Sequence, residues 1–152
     1  MKGATRMKIN LKIDDKVTEP QITIESNALT DEIKAIIQCI EDMNCIHQLP
    51  GHRDNMVSLI KVDAITSIKT ESKQVIALTH ETRYVIKSRL YTLEQELPSQ
   101  FMRISKSELI NLDKLVKLSM EPNGLIKMYL SHNYETYASR HYLKSIKERL
   151  EL

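Results

Sequence analysis

Two short polar sequences place a cation beside hydroxyl groups: Ser105-Lys106-Ser107 and Ser139-Arg140. A further cation, Lys73, ends the polar sequence Thr70-Glu71-Ser72-Lys73. Each comes at the end of a predicted β-strand, and Arg140 also begins a predicted helix. Hydroxyls, cations and the free N–H groups of a helix N-terminus are the groups that contact phosphate. Taken singly, each is more typical of a solvated surface side chain, but together they favour binding of a polyanion.

Charge is unevenly distributed along the 152 residues. The formal net charge is +2, composed of −2 over residues 1–52 and +4 over residues 53–152. All three cations lie in the basic part, which is therefore the part expected to approach a polyanion. Alone this imbalance is a weak signal, because many domains with such a charge bind no nucleic acid.

Catalytic and metal-binding patterns are missing from the sequence. It has no Gly-x-Ser-x-Gly motif and no phosphate-binding glycine loop, and it contains only 3 Gly. Cys39 and Cys45 match no zinc or redox spacing and are expected to be free thiols in a reduced compartment. We therefore expect no enzyme, no metal, no cofactor and no small-molecule substrate. The absence of a long apolar run and of a secretory signal favours a cytoplasmic location.

Residues 1–46 are predicted to form a small β-β-α N-terminal module. Ile9, Leu11 and Ile13 alternate with polar residues, and an alternating pair follows near residue 22. Thr30 is a candidate N-cap for a helix whose isoleucines recur at helical spacing. A piece of this size must pack on the rest of the chain or on a second copy. Periodicity does not distinguish a stripe packed within the chain from a dimer surface.

The polar stretch with Pro50-Gly51 predicts a linker over residues 47–55, and residues 56–152 are predicted to form a mainly antiparallel β domain. Two short helices are expected in it, one over about 90–97 with Ser88 as N-cap and one from Arg140 or His141 with Ser139 as N-cap. The alternating runs are Val57–Val62, Ala64–Thr70, Gln74–Leu78, Arg83–Ile86, a segment within 101–112, Leu115–Leu118, Leu125–Leu130 and Tyr134–Ala138.

The sequences FMRISKSELINLDKLVKL (101–118) and YETYASRHYLKSIKERL (134–150) resemble the LytTR family of bacterial DNA-binding domains. The first contains the family's Phe-x-Arg-Ile, a polar turn that ends in Ser, an apolar pair and Asn-Leu. The second contains a strand that ends in Ser-Arg just before a C-terminal helix. The resemblance covers about residues 56–150. It implies an elongated stack of small antiparallel sheets that reads DNA with loops in successive major grooves.

By this resemblance the DNA-contacting residues are Lys73, Ser105 with Lys106, and Ser139 with Arg140. Arg140 is the strongest candidate, because a guanidinium can pair with guanine through two hydrogen bonds. Many family members have His or His-Arg where this chain has Ser105-Lys106, and an ammonium is less directional than a guanidinium. The identity of the bases that would be read is therefore left open.

The resemblance implies a bacterial transcription regulator that binds double-stranded promoter DNA at repeated half-sites. Residues 1–46 are too few for the receiver domain of about 120 residues that many members carry, so a short, receiver-less type is expected. Some such members are controlled by a membrane-bound protein, and the N-terminal module would make a homodimer. The alternative is a β-rich protein–protein interaction module without productive DNA binding.

Two polar residue types in the β domain are predicted to have structural roles. Asn111 lies inside an apolar run, so its amide is expected to be buried and bonded to neighbouring backbone. A direct contact with DNA is the less favoured alternative. Tyr134 and Tyr137 are candidates for a strand that faces the DNA groove, but packing on the sheet with the hydroxyl at the surface is favoured.

Overall fold

The computed structural model describes residues 6–152 and shows ten strands and three α-helices within them. Single 3-10 turns occupy residues 62–64, 112–114, 131–133 and 140–142. None of the helices in this range is long and apolar enough to cross a membrane. The elements are α1 (Asp31–Met43), β1 (Gln48–Arg53), β2 (Met56–Lys61), β3 (Ile65–Glu71), β4 (Gln74–Thr79), β5 (Arg83–Ile86), α2 (Leu90–Glu96), β6 (Phe101–Ser105), β7 (Glu108–Asn111), β8 (Leu115–Met120), β9 (Ile126–Leu130), β10 (Tyr134–Ala138) and α3 (Leu143–Arg149).

The strands form two antiparallel sheets. The large sheet has seven strands in the order β2-β1-β5-β4-β3-β7-β6, and the small sheet has the order β10-β9-β8. Most neighbours in space are also neighbours in sequence, which is typical of hairpin-connected antiparallel sheets. The prediction of a mainly β fold with small antiparallel sheets is confirmed.

Two apolar clusters lie on opposite faces of the large sheet. On one face, α2 packs Leu93 against a cluster that includes Ile68 and Leu109. On the other face, Ile110 joins a cluster with residues of the small sheet and α3, such as Met128 and Ile146. Successive residues of β7 thus enter different clusters, because neighbouring strand residues point to opposite faces. Burying each such aliphatic side chain contributes about 1.5–3 kcal/mol.

The predicted β-β part of the N-terminal module is wrong for the single chain. Residues 6–30 contain neither helix nor strand. Ile9, Leu11 and Ile13 are 94%, 83% and 87% exposed. An alternating sequence shows which face a strand would bury, but a strand also needs a hydrogen-bonded partner. The predicted helix is present as α1, and the Thr30 hydroxyl accepts the Ile33 N–H at 3.3 Å as its N-cap.

The apolar stripe of α1 is only partly buried. Ile33 is buried, whereas Ile36 and Ile37 lie near the surface and Met43 is exposed. The helix is joined to the β domain at its C-terminal side, where the Ile46 N–H donates to the Glu96 carbonyl oxygen at 2.9 Å. Part of the stripe therefore remains open to solvent in one copy.

The segment predicted as a linker, residues 47–55, contains strand β1, which lies between β2 and β5 in the large sheet. Gly51 has a packing reason: a Cβ at this position would lie 2.2 Å from Ile60 Cδ1 and 2.8 Å from Tyr84 Cβ. The Pro50-Gly51 pair thus reflects close packing inside a sheet and not a chain boundary. The β domain begins earlier than the sequence indicates.

The predicted caps of the two later helices are not the ones in the structure. Arg89, and not Ser88, precedes α2. Ser139 precedes the 3-10 turn at residues 140–142, which leads into α3, and within residues 6–152 the Ser139 side chain makes no capping hydrogen bond there.

Candidate nucleic-acid interface

The β3–β4 turn (Ser72 and Lys73) and the β6–β7 turn (Lys106 and Ser107) emerge at one end of the large sheet. β3 and β7 are paired neighbours in that sheet. The Thr70 N–H donates to the Ser107 carbonyl oxygen at 2.8 Å, which brings the two hairpins together at their tips. Strand pairing therefore places two of the three predicted cations at the same end of the sheet.

The β3–β4 turn has an unusual backbone for the residues that form it. Ser72 and Lys73 have φ angles of 49° and 64°, between the paired residues Glu71 and Gln74. Two-residue hairpins with positive φ at both positions normally carry Asn or Gly, and another residue type costs about 1 kcal/mol. The exposed Lys73 side chain thus occupies a tip where glycine would be more stable.

The β6–β7 turn is held by the guanidinium of Arg103. Its Nε donates to the Ser105 carbonyl oxygen at 2.9 Å, and Nη2 donates to the Lys106 carbonyl oxygen at 2.5 Å. The remaining nitrogen pairs with Glu94 at 2.8 Å, and the Arg103 side chain is only 18% exposed. Inside the turn the Ser107 N–H donates to Ser105 Oγ at 3.3 Å. Lys106 is therefore an exposed cation on a backbone that several hydrogen bonds hold in place.

The role of Arg103 is not evident from the sequence. There it is one residue of a family pattern, without an assigned contact. Its partners Ser105 and Lys106 follow within three residues, so a cation just before a polar turn is the signal that could have indicated a brace. The structure assigns this guanidinium to positioning the turn.

Ser139 and Arg140 lie beside the β6–β7 turn because β10 ends against β6. The Ser139 N–H donates to the Ile104 carbonyl oxygen at 2.9 Å. Arg140 is exposed, and its guanidinium donates to the Asn123 carbonyl oxygen in the turn between β8 and β9. A guanidinium has five N–H donors, so this contact orients the side chain and leaves donors for an incoming acceptor.

The five predicted site residues therefore fall into two groups. Ser105, Lys106, Ser139 and Arg140 form one unit, joined through the backbone bond between Ile104 and Ser139. Lys73, on the neighbouring hairpin tip, is the only member of the second group.

A buried carboxylate connects the two sheets directly behind the β6–β7 turn. Glu108, the first residue of β7, is 6% exposed. It accepts hydrogen bonds from Ser67 Oγ at 2.5 Å, Tyr134 Oη at 2.6 Å and Thr136 Oγ1 at 2.5 Å. Ser67 belongs to the large sheet and the other two donors to the small sheet. Burial, and next the bond to Glu108, raise the pKa of Tyr134.

These contacts revise the prediction for the tyrosines. The Tyr134 hydroxyl is not at the surface but bonded to Glu108, whereas Tyr137 is half exposed on the same strand. Sequence reasoning missed Glu108, because its partners lie 26 to 41 residues away along the chain.

The outer face of the small sheet carries cations beside aromatic rings. Lys127 Nζ lies 5.1 Å from the ring centroid of Tyr129 and 5.8 Å from that of Tyr137. It also pairs with Glu135 at 3.1 Å, and this bond raises the pKa of Lys127. Tyr137 is two residues from Ser139, so this strip continues from Arg140 along the sheet. Glu135 offsets the charge of Lys127, so the positive charge of this face comes from Lys117, whose Nζ lies 4.9 Å from the same Tyr129 ring.

Asn111 has the structural role that was predicted. Its side chain is fully buried, its Nδ2 donates to the Ile65 carbonyl oxygen at 2.9 Å and its Oδ1 accepts the Asp113 N–H at 3.0 Å. The amide thus connects the start of β3 to the end of β7 and is unavailable to an external partner.

Comparison with known structures confirms the fold. The chain is similar to a Bacillus cereus structure described as the LytTr DNA-binding domain of a methyl-accepting/DNA response regulator, with a TM-score of 0.68. The match covers 70% of this chain and 99% of that one at 13% sequence identity.

The profile of the LytTr DNA-binding domain matches residues 55–151, and the chain belongs to this family. The family is one of DNA-binding domains and not of enzymes. Among its relatives is an uncharacterized HTH-type transcriptional regulator of Staphylococcus aureus strain MSSA476, 44% identical over 146 residues, with 96% of this chain and 99% of the relative covered. A relative of the same description from strain NCTC 8325 / PS 47 is 43% identical over the same length.

Proposed function

We propose that this protein is a cytoplasmic bacterial transcription regulator that binds double-stranded promoter DNA at repeated half-sites as a homodimer. The observation that carries the proposal is the unit formed by Lys106 and Arg140 in a chain with a LytTr DNA-binding domain. A backbone hydrogen bond joins the segments that carry these cations, and both side chains are exposed. They would therefore approach one DNA surface together.

Loops, and not a helix, would read the bases. In residues 6–152 no two α-helices follow one another without a strand between them, so a helix-turn-helix pair is absent from this part of the chain. α2 and α3 place Leu93 and Ile146 in the apolar clusters. A major groove about 12 Å wide admits the β6–β7 turn and the Arg140 segment.

The cations would have different roles on DNA. Arg140 suits bidentate pairing with guanine, which is worth about 1–3 kcal/mol of discrimination against another base. Lys106 is a point charge on a held turn, suited to a base edge or a nearby phosphate. Lys73, on the adjacent tip, suits a phosphate contact, and the hydroxyls of Ser105 and Ser139 suit phosphate oxygens.

Repeated half-sites would compensate for the few base contacts that one copy can make. A single domain with few base contacts binds a single site weakly, whereas two linked copies gain affinity through effective concentration. Residues 1–46 would supply the dimer contact. Control by a membrane-bound protein stays a prediction from the family resemblance.

Fluorescence anisotropy with duplex DNA selected from a random pool tests the proposal. We expect log affinity to fall with log salt at about −0.9 per phosphate contact. The double variant Lys106→Ala/Arg140→Ala should bind about 100-fold more weakly, because it loses a bidentate base contact and a second cation.

The control is Arg89→Ala/Lys114→Ala, which also removes one arginine and one lysine, just before α2 and after the end of β7 that lies away from the β6–β7 turn. This variant should lose little affinity. Equal binding by both double variants would refute the assignment of the site. Affinity that is weak and independent of salt would favour a protein–protein interaction module instead.

A further inference from the structure

Strand β2 is an apolar edge of the large sheet without a partner on its outer side. It pairs with β1 alone among residues 6–152. Met56, Val57 and Leu59 on this strand are 68%, 59% and 69% exposed. An exposed apolar edge presents free N–H and C=O groups and is a template for another strand. Natural sheets usually protect such an edge with charges or a covering segment.

The N-terminal segment, Lys8–Ile13, has the sequence of a strand but no partner in the single chain. Its three apolar residues are among the most exposed in the structure, and they alternate with Lys8, Asn10 and Lys12. Leaving such side chains in water forgoes about 1.5–3 kcal/mol each. Both the segment and the outer edge of β2 therefore lack a hydrogen-bonded neighbouring strand.

We propose that the N-terminal segment of one copy adds as a strand to β2 of a second copy, and that the exchange is reciprocal. This inference rests on the homodimer of the proposed function and names its contact. The two elements match in length, since both the segment and β2 have six residues. A reciprocal exchange is closed, so it gives a two-fold dimer and not a chain of copies.

The charge of β2 is compatible with an added N-terminal strand. Residues 56–60 of β2 carry no charged side chain. In a parallel register that places Lys8 beside Met56 and Lys12 beside Ile60, the lysines of the added strand lie opposite no cation, and like charges in that position would be destabilising.

The chain between the segment and α1 is long enough for the exchange. Residues 14–30 contain neither helix nor strand. A stretch of this length spans up to about 55 Å when extended. The dimer would also leave the candidate DNA interface free, because β2 and the β7-β6 pair lie at opposite edges of the large sheet.

Sedimentation of the full chain is the first test. The parent should be a dimer at about 50 µM, and Leu59→Asp should weaken dimerisation at least about tenfold, because a buried charge replaces an apolar contact. Ile9→Asp/Leu11→Asp should weaken dimerisation equally, because it places charges on the N-terminal segment that pairs with β2. The matched control is Val116→Asp, which introduces the same charge at a residue 67% exposed on the small sheet. A monomeric parent, or equal effects of Leu59→Asp and Val116→Asp, would overturn the inference.

Disulfide trapping identifies the contact directly. In a Cys39→Ser/Cys45→Ser background, chains with Leu11→Cys are mixed with chains with Leu59→Cys and oxidised. We expect a cross-linked heterodimer in much higher yield than from Leu11→Cys mixed with Val116→Cys. Equal yields from the two mixtures would refute the contact.

A double variant with both Leu11→Cys and Leu59→Cys tests whether the segment comes from a second copy. Bonds between chains support the exchange. Bonds formed only within one chain would show that the segment covers its own β2, and the proposal of a second copy would then be wrong.

DNA binding separates this inference from the proposed function. Leu59→Asp should keep the parent's affinity for a duplex with one half-site and lose affinity for a duplex with two. If the parent forms the exchanged dimer but does not bind DNA, the proposed function alone is refuted. Normal DNA binding by a dimeric parent whose Leu11→Cys and Leu59→Cys chains form no cross-link would refute the exchange alone.

Discussion

The β3–β4 turn and the β6–β7 turn lie side by side and each presents a lysine, yet their backbones are held in different ways. Lys73 lies on a left-handed tip whose conformation costs free energy. Lys106 lies on a turn to which Arg103 donates two hydrogen bonds. A held backbone keeps a side chain within the narrow geometry that base recognition needs, whereas a phosphate contact tolerates more freedom.

The comparison shows that two lysines at neighbouring hairpin tips can be positioned with different precision. Behind the β6–β7 turn, Glu108 connects it to both sheets. The β3–β4 turn is supported by its strand ladder and by an exposed ion pair between Glu71 and Arg83. We therefore expect changes near Lys106 to alter sequence preference and changes at Lys73 to alter affinity for all sequences.

The largest effect is expected from removing the anchor of the β6–β7 turn. Glu108→Ala leaves the hydroxyls of Ser67, Tyr134 and Thr136 without their acceptor. Hydrogen bonds to a charged group contribute about 1.5–3 kcal/mol each, so the free energy of unfolding should fall by about 3 kcal/mol or more. Urea denaturation measures it, with the exposed Glu135→Ala as control. A loss below 1 kcal/mol would show that the carboxylate does not anchor the turn.

The next largest effect is expected from Arg103, which holds the backbone of the β6–β7 turn. Arg103→Ala should weaken binding to the selected DNA about tenfold, or about 1.4 kcal/mol, because the backbone under Lys106 loses two donors. Arg103→Lys should recover little, since an ammonium cannot replace the planar guanidinium. Affinity for unselected DNA should change much less. Equal losses on selected and unselected DNA would mean that Arg103 acts through charge alone.

Lys73 should give a smaller and less selective effect. Lys73→Ala should weaken DNA binding about threefold for every sequence and reduce the salt slope by about 0.9, the value for one phosphate contact. Lys73→Gly should lose the same affinity but raise the free energy of unfolding by about 0.5–1 kcal/mol, because glycine suits the positive φ. A glycine variant less stable than the parent would contradict the strained tip.

The smallest effect at neutral pH concerns Tyr134. Burial, and next the bond to Glu108, raise the pKa of this tyrosine above its ordinary value of 10.0. The unfolded chain therefore loses this proton at lower pH than the folded chain does, and the free energy of unfolding should fall as pH rises above about 10. Tyr134→Phe should reduce this fall. Parallel pH profiles for parent and variant would exclude a contribution from Tyr134.

The strands of the β domain could be predicted because one face of each is buried and alternation records that face. The runs Arg83–Ile86 and Tyr134–Ala138 coincide with β5 and β10, and the bounds of β2, β3, β4, β8 and β9 are within one or two residues of the predicted runs, whereas β1 was missed. The same alternation at Ile9, Leu11 and Ile13 produced no strand in the single chain. A pattern within one segment reports which face would be buried and not whether a partner is present.

The contacts that support the candidate site could be predicted only in part. The family pattern in the sequence indicated Lys106 and Arg140, and their part in DNA binding stays a prediction. The Glu108 network was not predicted because its donors come from two strands, β3 and β10, that are distant from Glu108 along the chain. Gly51 was misleading, since a glycine needed for close packing and a glycine in a linker look alike in sequence.

The hydrogen bond between Ile104 and Ser139 has a consequence for the DNA itself. It fixes the distance between the Lys106 turn and Arg140, so the protein has little freedom to adapt to a duplex whose grooves are spaced differently. The duplex would then have to bend or twist to meet both. Its resistance depends on the base steps between the contacts, and steps that the protein never touches would contribute to the choice of promoter.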